Sequence, residues 1–344
     1  MGTAPATVLL RDVLPGVSRS FALSLRIVPA SLRAPLGITY LLARAADTLA
    51  DTRALPPAER QRHVEALRAA IRPGETADLA ELGVLAAPDH PPAERALLAR
   101  LPEVLAAYRT LLPEDRARCQ AVLVTLTQAM LDALASFPPE GDGRVAALET
   151  RADLDRYTYM NAGCVGEFWT DLTAAHRRRC ARGDLGRQRA RAARFGQGLQ
   201  LTNVLRDLPR DLRLGRCYLP RADLAALGLA PPDLLDPRAL GRLRPLLGAL
   251  AARARADLDE GLAYVLALPR AEARLRLAAL WPLLIGLGTL ARIMRAENLL
   301  DPAAVVKISR SELRRHIAAS VVLAASNGGL AAYARRLAAV VPGP

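Results

Sequence analysis

Long runs of strong helix formers constrain this chain more than any other feature of its sequence. Leu, Ala, Arg and Glu are abundant in its 344 residues, whereas period-2 runs rich in Val, Ile and Thr are scarce. Hydrophobic residues make up 51% of the chain but aromatic residues only 4%, so the core must consist mainly of Leu, Ala and Val. This pattern predicts an all-α protein. No linker separates two cores, which favours one domain over residues 1–344, with a core from about 16 to 335.

The positions of Pro, Gly and the apolar residues give an outline of the helices. Residues 1–15 read as a loose lead-in and residues 72–92 as irregular. Helices are predicted over about 58–71, 93–111, 114–136, 145–180, 187–208, 238–267, 270–296 and 309–338. A further apolar helix precedes them and ends near residue 51.

The charge balance favours anionic partners. Lys and Arg number 47 against 34 acidic residues, which gives a net charge of +13, and nearly all of the positive charge is Arg. Such a balance suits nucleic acid, anionic lipid headgroups or phosphorylated small molecules. The chain has no aromatic-interleaved basic patch and no zinc-finger spacing, so we predict no nucleic-acid partner.

Cysteine spacing and hydropathy bear on the cellular location. Four widely spaced cysteines predict free thiols in a reducing cytoplasm, and no signal segment opens the chain. Residues 277–291 and 317–334 approach membrane length, but Pro282 interrupts the first and Ser326–Gly329 interrupts the second. We therefore predict a cytoplasmic protein and leave open a peripheral contact at the inner face of the membrane.

A first acidic ridge is predicted within Leu41–Asp51. On a helix, Asp47 and Asp51 are one turn apart and present their carboxylates on one face. Arg44 lies one turn before Asp47, and Tyr40 lies one turn before Arg44. Taken alone, two such carboxylates are also typical of a solvated helix end. A phenol, a guanidinium and two carboxylates in one line suit a metal-bridged phosphate.

A second acidic ridge is predicted on a later helix. Gln200, Asn203, Asp207 and Asp211 follow one another at helical spacing, so their oxygens gather along one line. Pro209 lacks an amide hydrogen and should kink or end this helix, which would displace Asp211 from the line. The two ridges together would hold diphosphate groups through magnesium, since carboxylates bind this ion and leave positions for phosphate and water. The expected chemistry is loss of diphosphate to leave an allylic carbocation in a dry apolar cavity.

Two further stretches have alternative interpretations. The small residues in Tyr157–Gly166 let a second backbone or a ligand come close, with pure helix packing as the alternative interpretation. Gly286–Ala291 fits a dinucleotide fingerprint formally, but no strand precedes it and an apolar helix surrounds it. Any NADPH site would therefore have to be built differently, and its residues are unknown.

Four motifs, taken in order, resemble those of the squalene and phytoene synthases, and most closely those of a bacterial squalene synthase. They are Ser18–Phe21, Tyr40–Asp51, Tyr157–Gly166 and Gln200–Asp211. The resemblance runs from about residue 16 to 225, and Val306-Lys307-Ile308 also looks like a squalene synthase segment. It implies an all-α, single-domain isoprenoid-synthase bundle around a central apolar cavity.

The resemblance also implies head-to-head condensation of two prenyl diphosphates. In the squalene synthase interpretation, two farnesyl diphosphates give presqualene diphosphate, which NADPH reduces to squalene. The alternatives are a phytoene or dehydrosqualene synthase, which eliminates a proton instead, and a synthase that stops at presqualene diphosphate. A basic helical protein on the membrane surface, without catalysis, is a remote alternative. Substrate chain length and oligomeric state stay open.

The resemblance assigns roles to residues at the matching positions of this sequence. It implies Mg²⁺ ligands at Asp47, Asp51, Asn203, Asp207 and Asp211. It implies diphosphate ligands at Ser18, Arg19, Arg44, Gln200, Arg206 and Arg216. Tyr40 and Tyr157 would lie beside the reacting carbons and handle protons or stabilise cations, so that the catalytic set is Tyr40, Tyr157, Asp47, Asp51 and Asp207.

Overall fold

The structure is a computed structural model that describes residues 4–18, 21–53, 55–72, 90–303, 306–341 and 343. These residues form sixteen α-helices and one pair of very short strands, so the all-α prediction is confirmed. The helices are α1 (Ala4–Asp12), α2 (Leu14–Val17), α3 (Phe21–Ile27), α4 (Ala30–Asp51), α5 (Pro57–Ile71), α6 (Pro92–Ala99), α7 (Leu101–Arg109), α8 (Pro113–Ser136), α9 (Arg151–Thr158), α10 (Cys164–His176), α11 (Leu185–Arg213), α12 (Arg221–Ala226), α13 (Leu240–Ala267), α14 (Ala273–Arg295), α15 (Arg310–Leu323) and α16 (Asn327–Ala338).

Three short helical segments and one pair of strands lie between the α-helices. A π-helical segment, Tyr159–Gly163, joins α9 to α10, and 3₁₀ turns cover Pro231–Leu235 and Pro237–Ala239. Strand β1 (Ala146–Ala147) pairs in parallel with β2 (Arg216–Cys217), with Ala146 opposite Arg216.

The chain divides into two compact units, which are described separately. The first comprises Met1–Ser136 and Asp171–Ala181, and the second comprises Phe137–Thr170 and Arg182–Pro344. Helix α10 contributes residues to both. The prediction of one domain over residues 1–344 and of a central apolar cavity stays a prediction.

Helix α4 is the core of the first unit. Leu41, Leu42, Ala45, Ala46 and Leu49 are at most 1% exposed, and their spacing places them on one helical face. This face packs among α5, α7 and α8. Burial of that face fixes the rotation of α4 about its axis, and with it the direction in which the acidic ridge points.

Helix α11 is the core of the second unit and packs against α13, α14 and the π-helical segment. The Asp184 carboxylate caps its first turn by accepting a hydrogen bond from the Arg187 amide at 2.9 Å. The prediction that this helix is interrupted near residue 208 is wrong, because α11 continues through Pro209 to Arg213. Buried Leu205, Leu208 and Leu212 surround the proline, so tertiary packing overrides its helix-breaking tendency.

Glycines let α11 lie directly against the π-helical segment and α10. A Cβ on Gly196 would be only 2.2 Å from the carbonyl oxygen of Ala162, and one on Gly166 would be 2.0 Å from that of Ala192. The small residues of Tyr157–Gly166 therefore admit a second backbone.

The helix boundaries differ from the predictions in four places, and most of the predicted irregular stretch over 72–92 lies outside the described residues. The predicted helix over 309–338 is divided into α15 and α16, because Ser326 caps the start of α16 by accepting a hydrogen bond from the Gly329 amide. The predicted lead-in is mostly helical, since α1 buries Ala6 and Leu9 against the first unit. The predicted helix over 93–111 is divided at Arg100, where Pro102 cannot continue the preceding helix. The predicted helix over 145–180 is likewise divided, by β1 at its start and by the π-helical segment.

Two described helices are long and apolar enough, by length and composition alone, to cross a membrane. In α14 the most apolar window is 67% buried inside the protein, whereas in α8 the corresponding window is 33% buried. Core helices of soluble proteins pass the same test, so this finding is weak evidence for a span. Residues 317–334 are divided between α15 and α16.

Candidate functional site

The first acidic ridge lies on the last turns of α4. An Arg44 Nη1 proton is donated to Asp47 Oδ2 at 2.5 Å, one helical turn along. The side chain of Asp47 is 42% exposed, and Asp51 is exposed at the final residue of the helix. Both carboxylates are therefore accessible, as a metal-binding pair needs.

Arg44 also contacts a carboxylate that sequence reasoning missed. Its Nη2 donates to Glu94 in the first turn of α6, where the carboxylate is largely buried. Burial acts to lower the pKa of Arg44, but Asp47 and Glu94 outweigh it and leave that pKa above its ordinary value. The buried Nε has no hydrogen-bond partner among the described residues. Arg44 is therefore a permanent cation that Asp47 and Glu94 hold in position.

Ser18 and Tyr40 lie close to the end of α2. Tyr40 Oη donates to the Val17 carbonyl at 3.1 Å, and the buried Ser18 Oγ donates to the Leu14 carbonyl at 2.6 Å. The Ser18 hydroxyl is thus directed at its own helix. Arg19, predicted to hold diphosphate, lies outside the described residues.

The second acidic ridge contains two hydrogen-bonded pairs on α11. Asn203 Nδ2 donates to Gln200 Oε1 at 3.3 Å. Arg206 pairs with its neighbour Asp207 through two bonds, Nε to Oδ1 at 2.8 Å and Nη2 to Oδ2 at 2.5 Å. The hydrogen bond to Asp207 raises the pKa of Arg206 despite burial. Each ridge therefore couples an arginine to its first carboxylate.

Asp211 stays with this ridge because α11 does not end at Pro209. It is partly buried, and its charge acts on both Arg206 and Tyr157. The sequence predicts that Asp211 is displaced because Pro209 would kink or end the helix. Helix α11 instead continues to Arg213, so Asp211 is still within the helix.

Tyr157 joins the second ridge to an aromatic stack. Gln200 Nε2 donates to Tyr157 Oη at 3.3 Å, and the Tyr157 ring stacks on Tyr218 at 4.3 Å between centroids. Tyr218 in turn meets the edge of Phe137 at 5.2 Å. Burial is the main cause that raises the pKa of Tyr157 well above its ordinary value, and Tyr218 adds to it. The phenol is therefore protonated at neutral pH.

Arg216 is held at the edge of the two-strand pair. Gly215 adopts a positive φ of 78° just after α11, where a Cβ would also meet the Arg144 carbonyl oxygen at 2.8 Å. The chain then enters β2, and Arg216 Nη2 pairs with Glu140 Oε1 at 2.6 Å. Both side chains are at most 17% exposed, so the guanidinium is fixed in position.

The donor chemistry of the two ridges fits magnesium. Their oxygen donors are carboxylates and amide groups, which hard divalent cations prefer, with no Cys or His among them. In the part of the chain that the structure describes, no three His, Cys, Asp or Glu side chains are close enough together to hold a metal by themselves. Since Mg²⁺ usually takes one or two carboxylates and fills its other positions with water and phosphate, a pair per ridge is sufficient.

Three contacts escaped the sequence analysis: Glu94, Glu140 and Tyr218. Glu94 is 50 residues from Arg44, and Glu140 is 76 residues from Arg216. No spacing rule connects residues so distant in sequence. Tyr218 carried a usable signal, since it lies two residues after Arg216 in a loop between two prolines.

Comparison with known proteins gives consistent results over most of the chain. A family model described as squalene/phytoene synthase matches residues 14–312. The phytoene synthase of Thermus thermophilus is 38% identical over 133 residues, which cover 39% of this chain and 43% of that protein. The match thus spans less than half the length of that relative.

Solved structures resemble the whole chain. TcSQS in complex with the ligand E5700 has a TM-score of 0.77 at 24% identity, and the match covers 98% of this chain and 92% of that one. Squalene synthase HpnC from Alicyclobacillus acidocaldarius has a TM-score of 0.57 at 26% identity, covering 85% of this chain and 93% of that one. The predicted isoprenoid-synthase fold is thereby confirmed. Together with its four ordered motifs, the match over residues 14–312 shows that the chain belongs to the squalene/phytoene synthase family.

Proposed function

We propose that this protein catalyses the Mg²⁺-dependent head-to-head condensation of two farnesyl diphosphates to presqualene diphosphate, followed by loss of the second diphosphate and reduction to squalene, for which NADPH would supply the hydride. The observation that carries the condensation is the repeated arrangement on α4 and α11. In each, an arginine is paired with the first carboxylate of an acidic ridge. The family to which the chain belongs acts on prenyl diphosphates by head-to-head transfer.

The arginines would bind the diphosphate groups. Arg44 donates to Asp47 and Glu94 through one N–H group each, so further N–H groups of its guanidinium can donate to a phosphate oxygen while those bonds are kept. Arg206 is paired with Asp207 and Arg216 with Glu140, which fixes their position before substrate arrives. Asp47 and Asp51 on one ridge, and Asn203, Asp207 and Asp211 on the other, would hold Mg²⁺. The bound metal would stabilise negative charge on the departing diphosphate.

The aromatic stack would face the cationic centre. Tyr157 is oriented by the Gln200 amide and by the ring of Tyr218, and the face of a neutral aromatic ring attracts a cation. The protonated phenol can donate a hydrogen bond but cannot accept a proton at neutral pH. Tyr157 is therefore a cation stabiliser in this proposal, and a proton-eliminating reaction would need another base.

Two observations support squalene as the product. The solved structure named squalene synthase HpnC matches 85% of this chain at 26% identity, and Val306-Lys307-Ile308 looks like a squalene synthase segment. The Gly286–Ala291 fingerprint lies inside α14 and does not fit a nucleotide site, so no reduction step is derived from it.

The second candidate is a phytoene or dehydrosqualene synthase, which would not use NADPH. It is favoured by the curated relatives, among them the Thermus thermophilus enzyme and a phytoene synthase of Zea mays that is 39% identical over 90 residues.

Product analysis by mass spectrometry separates these candidates. Purified protein is incubated with farnesyl diphosphate and Mg²⁺, with and without NADPH, and in parallel with geranylgeranyl diphosphate. Squalene formed only with NADPH supports the proposal. Dehydrosqualene in both farnesyl reactions, or phytoene from geranylgeranyl diphosphate, supports the second candidate. Neither substrate being consumed would contradict both, and would favour the non-catalytic membrane-surface alternative.

A further inference from the structure

A basic cavity lies in the second unit, and no residue of the two ridges lines it. It has a volume of about 800 Å³ and is bounded by the end of α14, by residues 306–308, and by α15 and α16. Its charged and polar lining consists of Arg292, Arg295, Arg315, Arg336, Glu312, His316 and Tyr333. Its volume is within the range of small-molecule sites.

Positive charge in this cavity is largely uncompensated. Arg292 Nη2 is paired with Glu312 Oε2 at 2.6 Å, and the same carboxylate caps α15 by accepting the Ser309 amide. Arg295, Arg315 and Arg336 are exposed, and none of them has a carboxylate partner within the described residues. Three guanidinium groups therefore converge on one space without a counter-charge, which is the arrangement that recognises phosphate.

A histidine offers a further donor to the same space. His316 Nδ1 and Tyr333 Oη are 2.8 Å apart. Burial lowers the pKa of His316 and raises that of Tyr333, so both are neutral near pH 7. When Tyr333 donates to Nδ1, the imidazole carries its proton on Nε2. That atom would be 3.5 Å from a Cβ on Gly288, so the glycine leaves room in front of it.

The remaining lining is apolar and too extensive for phosphate alone. The rest of the surface is formed by Gly288, Ala291, Ala296, Val306, Ile308 and Leu337. A ligand that fills the cavity therefore combines a phosphate group with an apolar body.

We infer that this cavity binds an organic phosphate, with Arg295, Arg315 and Arg336 on the phosphate oxygens and the apolar part of the ligand against Val306 and Ile308. The inference does not depend on the proposed reaction. The same chemistry is offered by a phospholipid headgroup and by a soluble organic phosphate. Two probes distinguish these sources: octyl phosphate as a monomer in solution, and phosphatidylcholine vesicles with or without phosphatidic acid.

The test compares two double variants of the full chain. Arg315→Gln with Arg336→Gln removes two cavity charges, whereas Arg310→Gln with Arg335→Gln removes two exposed charges from the same helices outside the cavity. Calorimetry with octyl phosphate is run in EDTA so that no metal-dependent diphosphate site contributes. Thermal melting of both variants checks that each one folds.

We expect the cavity variant to bind octyl phosphate at least about tenfold more weakly than wild type, and the control variant to lose less than about threefold. A matching selective loss of binding to phosphatidic acid vesicles assigns the cavity to a lipid headgroup. Selective loss for octyl phosphate, with no vesicle binding by wild type, assigns it to a soluble ligand. Equal weakening in both variants, or no binding of octyl phosphate by wild type, would overturn the inference.

Discussion

The contact between α11 and the π-helical segment makes Gly196→Ala a sharp test of the second unit. A Cβ at this position would lie 2.2 Å from the Ala162 carbonyl oxygen, 2.6 Å from its carbon and 2.9 Å from the Gly163 nitrogen. These are backbone atoms, which cannot be moved by a change of rotamer. An ordinary contact requires about 3.4 Å, so the two segments must separate by about 1 Å.

Two opposing terms determine the size of the effect. Replacing Gly by Ala within a helix stabilises by about 0.5–1 kcal/mol when nothing obstructs the methyl group. Overpacking a tight contact costs about 1–3 kcal/mol, and occasionally more. Because the obstructing atoms belong to the backbone, we expect a cost in the upper part of this range, about 2–3 kcal/mol, so that Gly196→Ala lowers the free energy of unfolding by about 1–2.5 kcal/mol. Moving α11 away from the π-helical segment would also lengthen the 3.3 Å hydrogen bond between Gln200 and Tyr157 beyond hydrogen-bond range. Enzymatic activity should fall as that bond is lost.

Gly248→Ala on α13 is the matched control. It is also a helical glycine, but nothing lies within 4 Å of its added Cβ. Thermal and urea unfolding should show the control at or above wild-type stability and Gly196→Ala below it. Equal stability of Gly196→Ala and wild type would refute the close backbone contact on which this reasoning rests.

Three further predictions follow from buried groups. Burial raises the pKa of three thiols to about 12: Cys119, Cys164 and Cys217. A thiol reagent near neutral pH should therefore modify Cys180 first in the native protein and all four cysteines after unfolding, and rapid reaction of a second native thiol would contradict this. Glu94→Ala should lower the free energy of unfolding measured in urea by about 1–3 kcal/mol, because it leaves Arg44 without one of its two carboxylate partners. Glu103→Ala, which removes an exposed ion pair with Arg100, should leave the stability close to that of wild type, and equal effects of the two changes would contradict the role of Glu94. The pKa of Tyr157 is raised, so the folded state holds the phenol proton more tightly than the unfolded state, and the stability that this proton contributes is lost as pH rises above about 10. Tyr157→Phe should therefore lose less stability than wild type over that pH range. An equal dependence of the free energy of unfolding on pH in the two proteins would contradict the raised pKa.

Local patterns predicted most of the helices and the two ridges because their information lies within one or two turns of sequence. Leu41–Asp51 is an example, since apolar spacing fixes the buried face of α4 and therefore the exposed position of its carboxylates. Pro209 is the counterexample. Its local preference predicts a break, but the apolar residues around it are buried strongly enough to hold α11 intact.

The partners of the site arginines could not be predicted in the same way. Glu94 and Glu140 reach Arg44 and Arg216 only because distant helices pack together, and such contacts have no fixed spacing. The π-helical turn Tyr159–Gly163 also left no pattern distinct from an ordinary helix. In the structure, this turn lies where Gly163 and Gly196 let two backbones come close together, a contact between segments that are distant in sequence.

The central claim is that both acidic ridges serve one diphosphate chemistry, and diphosphate release from farnesyl diphosphate tests it most directly. The rate is measured against Mg²⁺ concentration for wild type, Asp47→Asn, Asp207→Asn and the control Asp259→Asn, whose carboxylate pairs with Arg255 on α13 at 3.0 Å. We expect Mg²⁺-dependent release that falls at least about 100-fold in each ridge variant, a loss of roughly 2.7 kcal/mol of transition-state stabilisation. The control should retain its rate. Release that is independent of Mg²⁺, or a ridge variant as active as the control, would contradict a shared role of the two ridges in metal-dependent loss of diphosphate.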